Sequence, residues 1–150
     1  MINFAIVGAG AIAKLMATTI KMMNKGGDES VKLYAIASRS LEKAKEFAKE
    51  FGIEKAYGSY EELYNDPAIN LVYIATPHNF HYEQTKACLE HGKHVLCEKA
   101  FTVNAKEAKE LIDLSKEKKL LLAEAIWTRY QPMRQIINDV ISSGIVGQAF

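Results

Sequence analysis

Ile2 to Ala13 reads INFAIVGAGAIA, and this stretch decides the fold. It opens with an apolar run rich in branched residues, the composition of a strand buried on both faces. The run meets Gly8, Ala9, Gly10, Ala11, Ile12 and Ala13, a G-x-G-x-x-A turn, and continues through AIAKLMATTIKMM with helical periodicity. Gly8 permits a tight strand-to-helix turn. Gly10 has no Cβ to obstruct a diphosphate approaching the backbone, and Ala13 lets the helix lie close to the strand. The free N–H groups and positive dipole end of that helix then face the anion. A strand before the glycines and a helix after them is the context in which this pattern signals a dinucleotide site.

Working outward, the same alternation recurs. Strands are expected at 31–37, near 55–57, and at 71–75, 94–98 and 120–125. Helices are expected from 41 to a stop at Gly52, over 60–64, over 80–90 with a stop at Gly92, over 105–119, and over 132–143 with a stop at Gly144. Ser40 and Asn104 stand where helix caps are needed. Near-continuous apolar strands alternating with helices imply a doubly wound, Rossmann-type parallel sheet of six strands in an α/β fold of three layers. Residues 1–143 read as one NAD(P)-binding domain. Residues 144–150, ending in IVGQAF, read as the start of a strand or linker into a second domain.

Composition narrows the function. The chain has 150 residues, 49% hydrophobic and 25% charged, with a net charge of +1, which suits one globular domain and gives no basis for a nucleic-acid or anionic-membrane partner. No apolar run reaches membrane-spanning length and no leader pattern precedes the first strand, so the expected location is cytoplasmic. Cys88 and Cys97 lack C-x-x-C spacing and read as small buried residues. His78, His81, His91 and His94 do not combine with other residues at ligand spacing, so no metal site is expected.

In such sheets ligands bind at the carboxyl ends of the strands, near the reversal of strand order. The second strand ends in Ala37-Ser38-Arg39-Ser40, without the carboxylate that a free ribose 2′-hydroxyl wants. The nearest acids by spacing, Asp28 and Glu29, precede the strand. Ser38 and Arg39, with Lys43 nearby, therefore suit a 2′-phosphate, and NADP is favoured over NAD. The fourth strand leads into Thr76-Pro77-His78-Asn79-Phe80-His81, beside the glycine turn. Asn79 or His81 can donate to ribose or substrate there, or the histidine can simply cap or pack. The fifth strand ends in Glu98-Lys99-Ala100. Lys99 can hydrogen-bond a substrate hydroxyl or the cofactor ribose and stabilise oxyanion charge, or it can pair with Glu98. After the sixth strand, Trp127 and Arg129 can either wall the cofactor pocket or pack against another domain.

Together VGAGAIA, ASRS, ATPHNFHYE, HVLCEKA and SGIVGQ resemble the N-terminal half of the glucose–fructose oxidoreductase, inositol dehydrogenase and rhizopine-catabolism (Gfo/Idh/MocA) family. AEAIWTRYQP is most similar to its dimeric dihydrodiol dehydrogenase branch. The resemblance implies an NAD(P)-dependent oxidoreductase acting on a sugar, cyclitol or diol, in a full-length form that is a homo-oligomer. It implies that Lys99, matching the lysine of an E-K-P motif, is catalytic at the nicotinamide. It also implies that Thr76, Pro77, His78, Asn79, His81 and Glu98 line the cofactor. Ala100 departs from the family's proline, and His78 stands where asparagine is commoner.

The resulting expectation is the NADP(H)-binding half of an oxidoreductase moving hydride between nicotinamide and a carbinol or carbonyl carbon, inactive by itself. Two rivals are a non-catalytic NADP(H)-sensing module and an S-adenosylmethionine-binding methyltransferase domain. The latter would want an acid where Ser38-Arg39 stands.

Overall fold

The computed structural model describes residues 1–147. The chain runs β1 (Ile2–Val7), α1 (Ala11–Lys25), β2 (Val31–Ala37), α2 (Leu41–Phe51), β3 (Lys55–Tyr57), α3 (Tyr60–Tyr64) and β4 (Leu71–Ile74). It continues with α4 (His81–Glu90), β5 (His94–Cys97), α5 (Ala105–Glu117), β6 (Leu122–Glu124) and α6 (Met133–Ser142), with 3-10 turns at His78–Phe80 and Trp127–Tyr130. Six strands form one sheet in the order β3-β2-β1-β4-β5-β6, and every neighbouring pair is parallel. The order reverses between β1 and β4, which places the topological switch directly after the glycine turn.

Strand alternation divides the core in two. Ala5, Val7, Val72, Ile74, Val95 and Cys97 face α3, α4 and α5, where Leu63, Leu89 and Leu111 are fully buried. Phe4, Ile6, Leu33, Ile36 and Tyr73 face the opposite side, against Ala13, Ala17 and Ile20 of α1 and Phe47 of α2. Ala13 and Ala17 are fully buried, so a methyl group is all that separates helix and sheet there. Each large aliphatic side chain enclosed this way contributes about 1.5–3 kcal/mol of transfer free energy.

The caps follow the chemistry of their residues. Ser40 Oγ accepts from the Lys43 N–H at 3.3 Å and Asn104 Oδ1 accepts from the Glu107 N–H at 2.9 Å. Several ends differ from expectation. Helix α4 starts at His81, because 78–80 first make a 3-10 turn closed by Phe80 N–H on Pro77 O. Helix α5 stops at Glu117, since Lys119 turns to φ 56° and the Leu120 N–H returns to Ser115 O. That reversal leaves β6 only three residues, paired with Val95–Cys97 of the short strand beside it. No strand forms over 145–147: beyond α6 the chain makes a turn in which the Gly147 N–H bonds Gly144 O at 3.0 Å. The remainder of that expected strand, 148–150, lies outside the described residues.

Candidate functional site

One backbone hydrogen bond beyond each central strand keeps the carboxyl ends in line. Gly8 N–H donates to Ala37 O, Ala75 N–H to Val7 O, Glu98 N–H to Ile74 O and Ala125 N–H to Cys97 O, at 2.7–3.1 Å. The loops carrying Gly8–Gly10, Ser38–Ser40, Thr76–Phe80, Glu98–Phe101 and Ile126–Tyr130 therefore leave the sheet along the same edge.

At the first of these, Gly8 has φ +100°, and a Cβ there would meet Ala75 O at 2.9 Å and Thr76 Cγ2 at 3.1 Å. Glycine is required by both backbone conformation and space. Gly10 is the opposite case: its φ is −93°, and a Cβ would meet nothing within 4 Å. The space in front of Gly10 is open, and Ala9, Ala11 and Ile12 beside it are at least partly exposed. Gly10 supplies no side-chain cap to α1, and the first turn of α1 contains no acid. Its leading N–H groups thus lack intrahelical acceptors at a site with positive potential. A diphosphate fits this cradle in charge, donors and room.

Ser38 is nearly buried, tied back by its N–H on Tyr57 O and by the Ser40 N–H on its Oγ. Arg39 is exposed, its Cζ 6.0 Å from the centre of the Phe80 ring, so it spans the β2 and β4 loops. Arg39, Tyr60, Thr76, Pro77, Phe80 and Gln84 line a narrow cleft between those loops. Lys43 lines a separate cleft of about 260 Å³ that reaches Ala9 and is also lined by Lys14, Glu46 and Glu50, with Lys14 paired to Glu50 at 2.6 Å. Glu42, in the first turn of α2 beyond the β2 exit, takes a hydrogen bond from Ser40 Oγ at 3.0 Å.

On the other side of the switch point, Thr76 Oγ1 donates to Gln84 Oε1 at 2.5 Å, while Pro77, His78 and Asn79 are exposed. His81 is not available to a ligand, which corrects the expectation for it. It is fully buried, with Nδ1 2.7 Å from Ala100 O and Nε2 2.9 Å from Thr76 O. As the first residue of α4, its side chain turns under the loops rather than out of them.

Glu98 is held by the Tyr73 hydroxyl and accepts the Lys99 N–H on Oε2 at 3.2 Å. Burial first, and the Glu98 carboxylate second, push the Tyr73 phenol well above its usual range, so it stays a donor. Lys99 is exposed and forms no ion pair among the described residues; the alternative pairing with Glu98 does not occur. Phe101 N–H donates to Glu124 Oε1 at 2.9 Å. Trp127 and Arg129 lie on an exposed 3-10 turn after β6. Trp127 is 62% exposed, and Arg129 lines a cleft against α6. Tyr73 and Glu124 on strands and Gln84 on α4 are participants that periodicity conceals, because each reads as an ordinary element residue. Burial pushes the Cys97 thiol up to about 12 and Cys88 higher still, so neither is a nucleophile at neutral pH. Among the described residues no three His, Cys, Asp or Glu side chains are grouped to hold a metal ion.

Comparison with known proteins decides the family. The profile described as "Oxidoreductase family, NAD-binding Rossmann fold" of the Gfo/Idh/MocA group matches residues 2–125. The chain belongs to this family. It is 40% identical over 156 residues to D-xylose 1-dehydrogenase (NADP(+)) of Hypocrea jecorina, covering 99% of this chain and 40% of that protein. It is 41% identical over 146 residues to trans-1,2-dihydrobenzene-1,2-diol dehydrogenase of Bos taurus, covering 97% and 43%. KijD10, a 3-ketoreductase from Actinomadura kijaniata with TDP-benzene and NADP, superimposes with a TM-score of 0.87 at 28% identity, covering 96% of this chain and 44% of that one. Levoglucosan dehydrogenase in complex with NADH does so with a TM-score of 0.87 at 29% identity, covering 98% and 40%. The chain thus spans about two fifths of the length of these relatives. It has the NAD(P)-binding fold of a dehydrogenase family, and no helix among its described residues is long and apolar enough to cross a membrane.

Proposed function

We propose that this chain is the NADP(H)-binding domain of an oxidoreductase that interconverts a carbinol and a carbonyl on a sugar, cyclitol or dihydrodiol. The observation that carries the cofactor choice is the β2 exit, where Ser38 and an outward-lying Arg39 occupy the place of a ribose-binding acid. NADP in the name of the Hypocrea jecorina relative and in the KijD10 complex supports the same choice, and NADH in the levoglucosan dehydrogenase complex keeps NAD as the second cofactor to test.

In this reading the α1 N–H groups and Gly10 hold the diphosphate, Arg39 and Ser38 hold the 2′-phosphate, and Lys43 adds positive charge beside them. Thr76, Pro77, His78 and Asn79 border the path between the adenosine and nicotinamide ends. When bound, the nicotinamide supplies or accepts the hydride. Lys99, with no carboxylate partner among the described residues, donates a hydrogen bond to the substrate oxygen and stabilises the charge that develops on it. The remaining substrate contacts come from a second domain following residue 143. On this reading the 150 residues bind cofactor and turn over little by themselves.

Calorimetric titration of NADP and NAD into the wild-type chain and Arg39→Ala tests the proposal. Loss of the charge-assisted contact weakens NADP by about 1.5–3 kcal/mol and leaves NAD nearly unchanged. Equal effects on both cofactors, or no binding of either to the wild-type chain, would sink it.

A further inference from the structure

The segment 98–101, which presents Lys99, is secured by side chains from three different elements. Tyr73 of β4 holds the Glu98 carboxylate, Glu124 of β6 receives the Phe101 N–H, and His81 of α4 lies 2.7 Å from the carbonyl of Ala100. Glu98 in turn receives the Lys99 N–H. With these inward-facing groups engaged, the Lys99 side chain remains exposed and unpaired among the described residues. Of the three anchors, His81 also reaches the neighbouring loop, with Nε2 2.9 Å from Thr76 O. It is buried completely, so its contacts are not exchanged for water.

We propose that His81 is a positioning residue for Lys99: its Nδ1–H donates to Ala100 O, and the buried ring, packed between that carbonyl and Thr76 O, holds the Lys99 loop at a fixed distance from the Thr76 loop across the switch point. The inference rests on the reading of Lys99 as the group that meets the substrate oxygen. A ring that only filled space would need no hydrogen toward Ala100. Both ring nitrogens face carbonyl oxygens, Nδ1 at 2.7 Å and Nε2 at 2.9 Å; a neutral ring carries a single N–H and can donate to only one of them, and the shorter contact, to Ala100 O, is the one assigned the hydrogen. Cofactor settling against Thr76–Asn79 thereby moves the loop that carries Lys99, with no contact between His81 and the ligand.

Two measurements test this. Long-range ¹H–¹⁵N correlation on the ligand-free wild-type chain reads the hydrogen on His81 directly. The expected result is Nδ1 in the protonated range; Nδ1 as a bare acceptor overturns the proposal. The second experiment follows Lys99 as its ¹³C-dimethylated amine, assigned with Lys99→Arg, during titration with NADP. In wild type the Lys99 signal shifts on binding. In His81→Phe, which keeps the volume without the donor, at least about half of that shift is lost. Affinity for NADP meanwhile changes by less than about threefold, because the diphosphate cradle is a separate set of contacts. An unchanged Lys99 response in a folded His81→Phe chain overturns the proposal, and His81→Asn is read in the same way if the phenylalanine variant does not fold. Failure of the wild-type chain to bind NADP would count against the cofactor assignment alone, and the nitrogen spectrum would still decide the role of His81.

Discussion

The side chains at the carboxyl edge are set by what each has to bond. Arg39 is kept outside the core by its charge and spans two loops over Phe80. Away from that edge, Asp66 shows how a partly buried acid is kept charged. Burial opposes its ionisation. Hydrogen bonds from Tyr57 OH, the Ala68 N–H and Tyr34, with the Lys93 ammonium nearby, more than offset that, so its pKa lies below the ordinary 3.8. A depressed folded-state pKa stabilises the fold above the ordinary value and loses that stabilisation as pH falls below it. Asp66→Asn is therefore less stable than wild type at pH 6, and the gap between their melting temperatures narrows toward pH 2. A gap independent of pH would show that the charge of Asp66 is not what matters. Cys88 and Cys97 make a second prediction. Fully buried and with raised pKa values, they resist a thiol-titrating disulfide reagent in the native chain and react once it is unfolded.

At the scale of elements, the β1–α1 turn separates two uses of glycine. Gly8 sits at φ +100° with Ala75 O in the way of any Cβ. Gly8→Ala therefore costs about 2–3 kcal/mol of stability, measured by urea unfolding, before any ligand is considered. Gly10 has an ordinary φ and open space ahead of it. Gly10→Ala costs less than about 1 kcal/mol of stability yet weakens NADP, because its methyl group projects where the diphosphate approaches. Equal stability losses in the two variants would contradict this division. The turn, both caps and most strand limits were legible in the sequence, because they depend on neighbours within four residues. The ends of α5 and β6 were not, because Lys119 adopts a left-handed conformation that no local residue announces and β6 extends only as far as β5 offers partners.

For the whole molecule, the order β3-β2-β1-β4-β5-β6 brings loops from residue 8 to residue 130 to one edge and buries an apolar layer on each face of the sheet. Helix α6 stands outside that arrangement. None of its residues is buried, and Ile136, Ile137, Val140 and Ile141 are 41–56% exposed. Deleting 132–150 accordingly changes the urea-unfolding free energy of this chain by less than about 1 kcal/mol. A larger loss would show that α6 is packed in solution.

The amino-acid sequence by itself determined the parallel α/β sheet, the glycine turn after β1 and the Ala37-Ser38-Arg39-Ser40 end of β2, which holds no carboxylate. Each is written in hydrophobic periodicity or in small and charged residues a few positions apart. Only the tertiary structure decided what His81, Tyr73 and Glu124 do. Their partners in the 98–101 segment lie 19 to 25 residues away in the chain, on loops that meet because the strands are neighbours in the sheet. A histidine opening a helix looks the same whether it faces ligand or core. The carbonyls of Thr76 and Ala100 on either side of the His81 ring made that choice, by meeting its two nitrogens in a space closed to water.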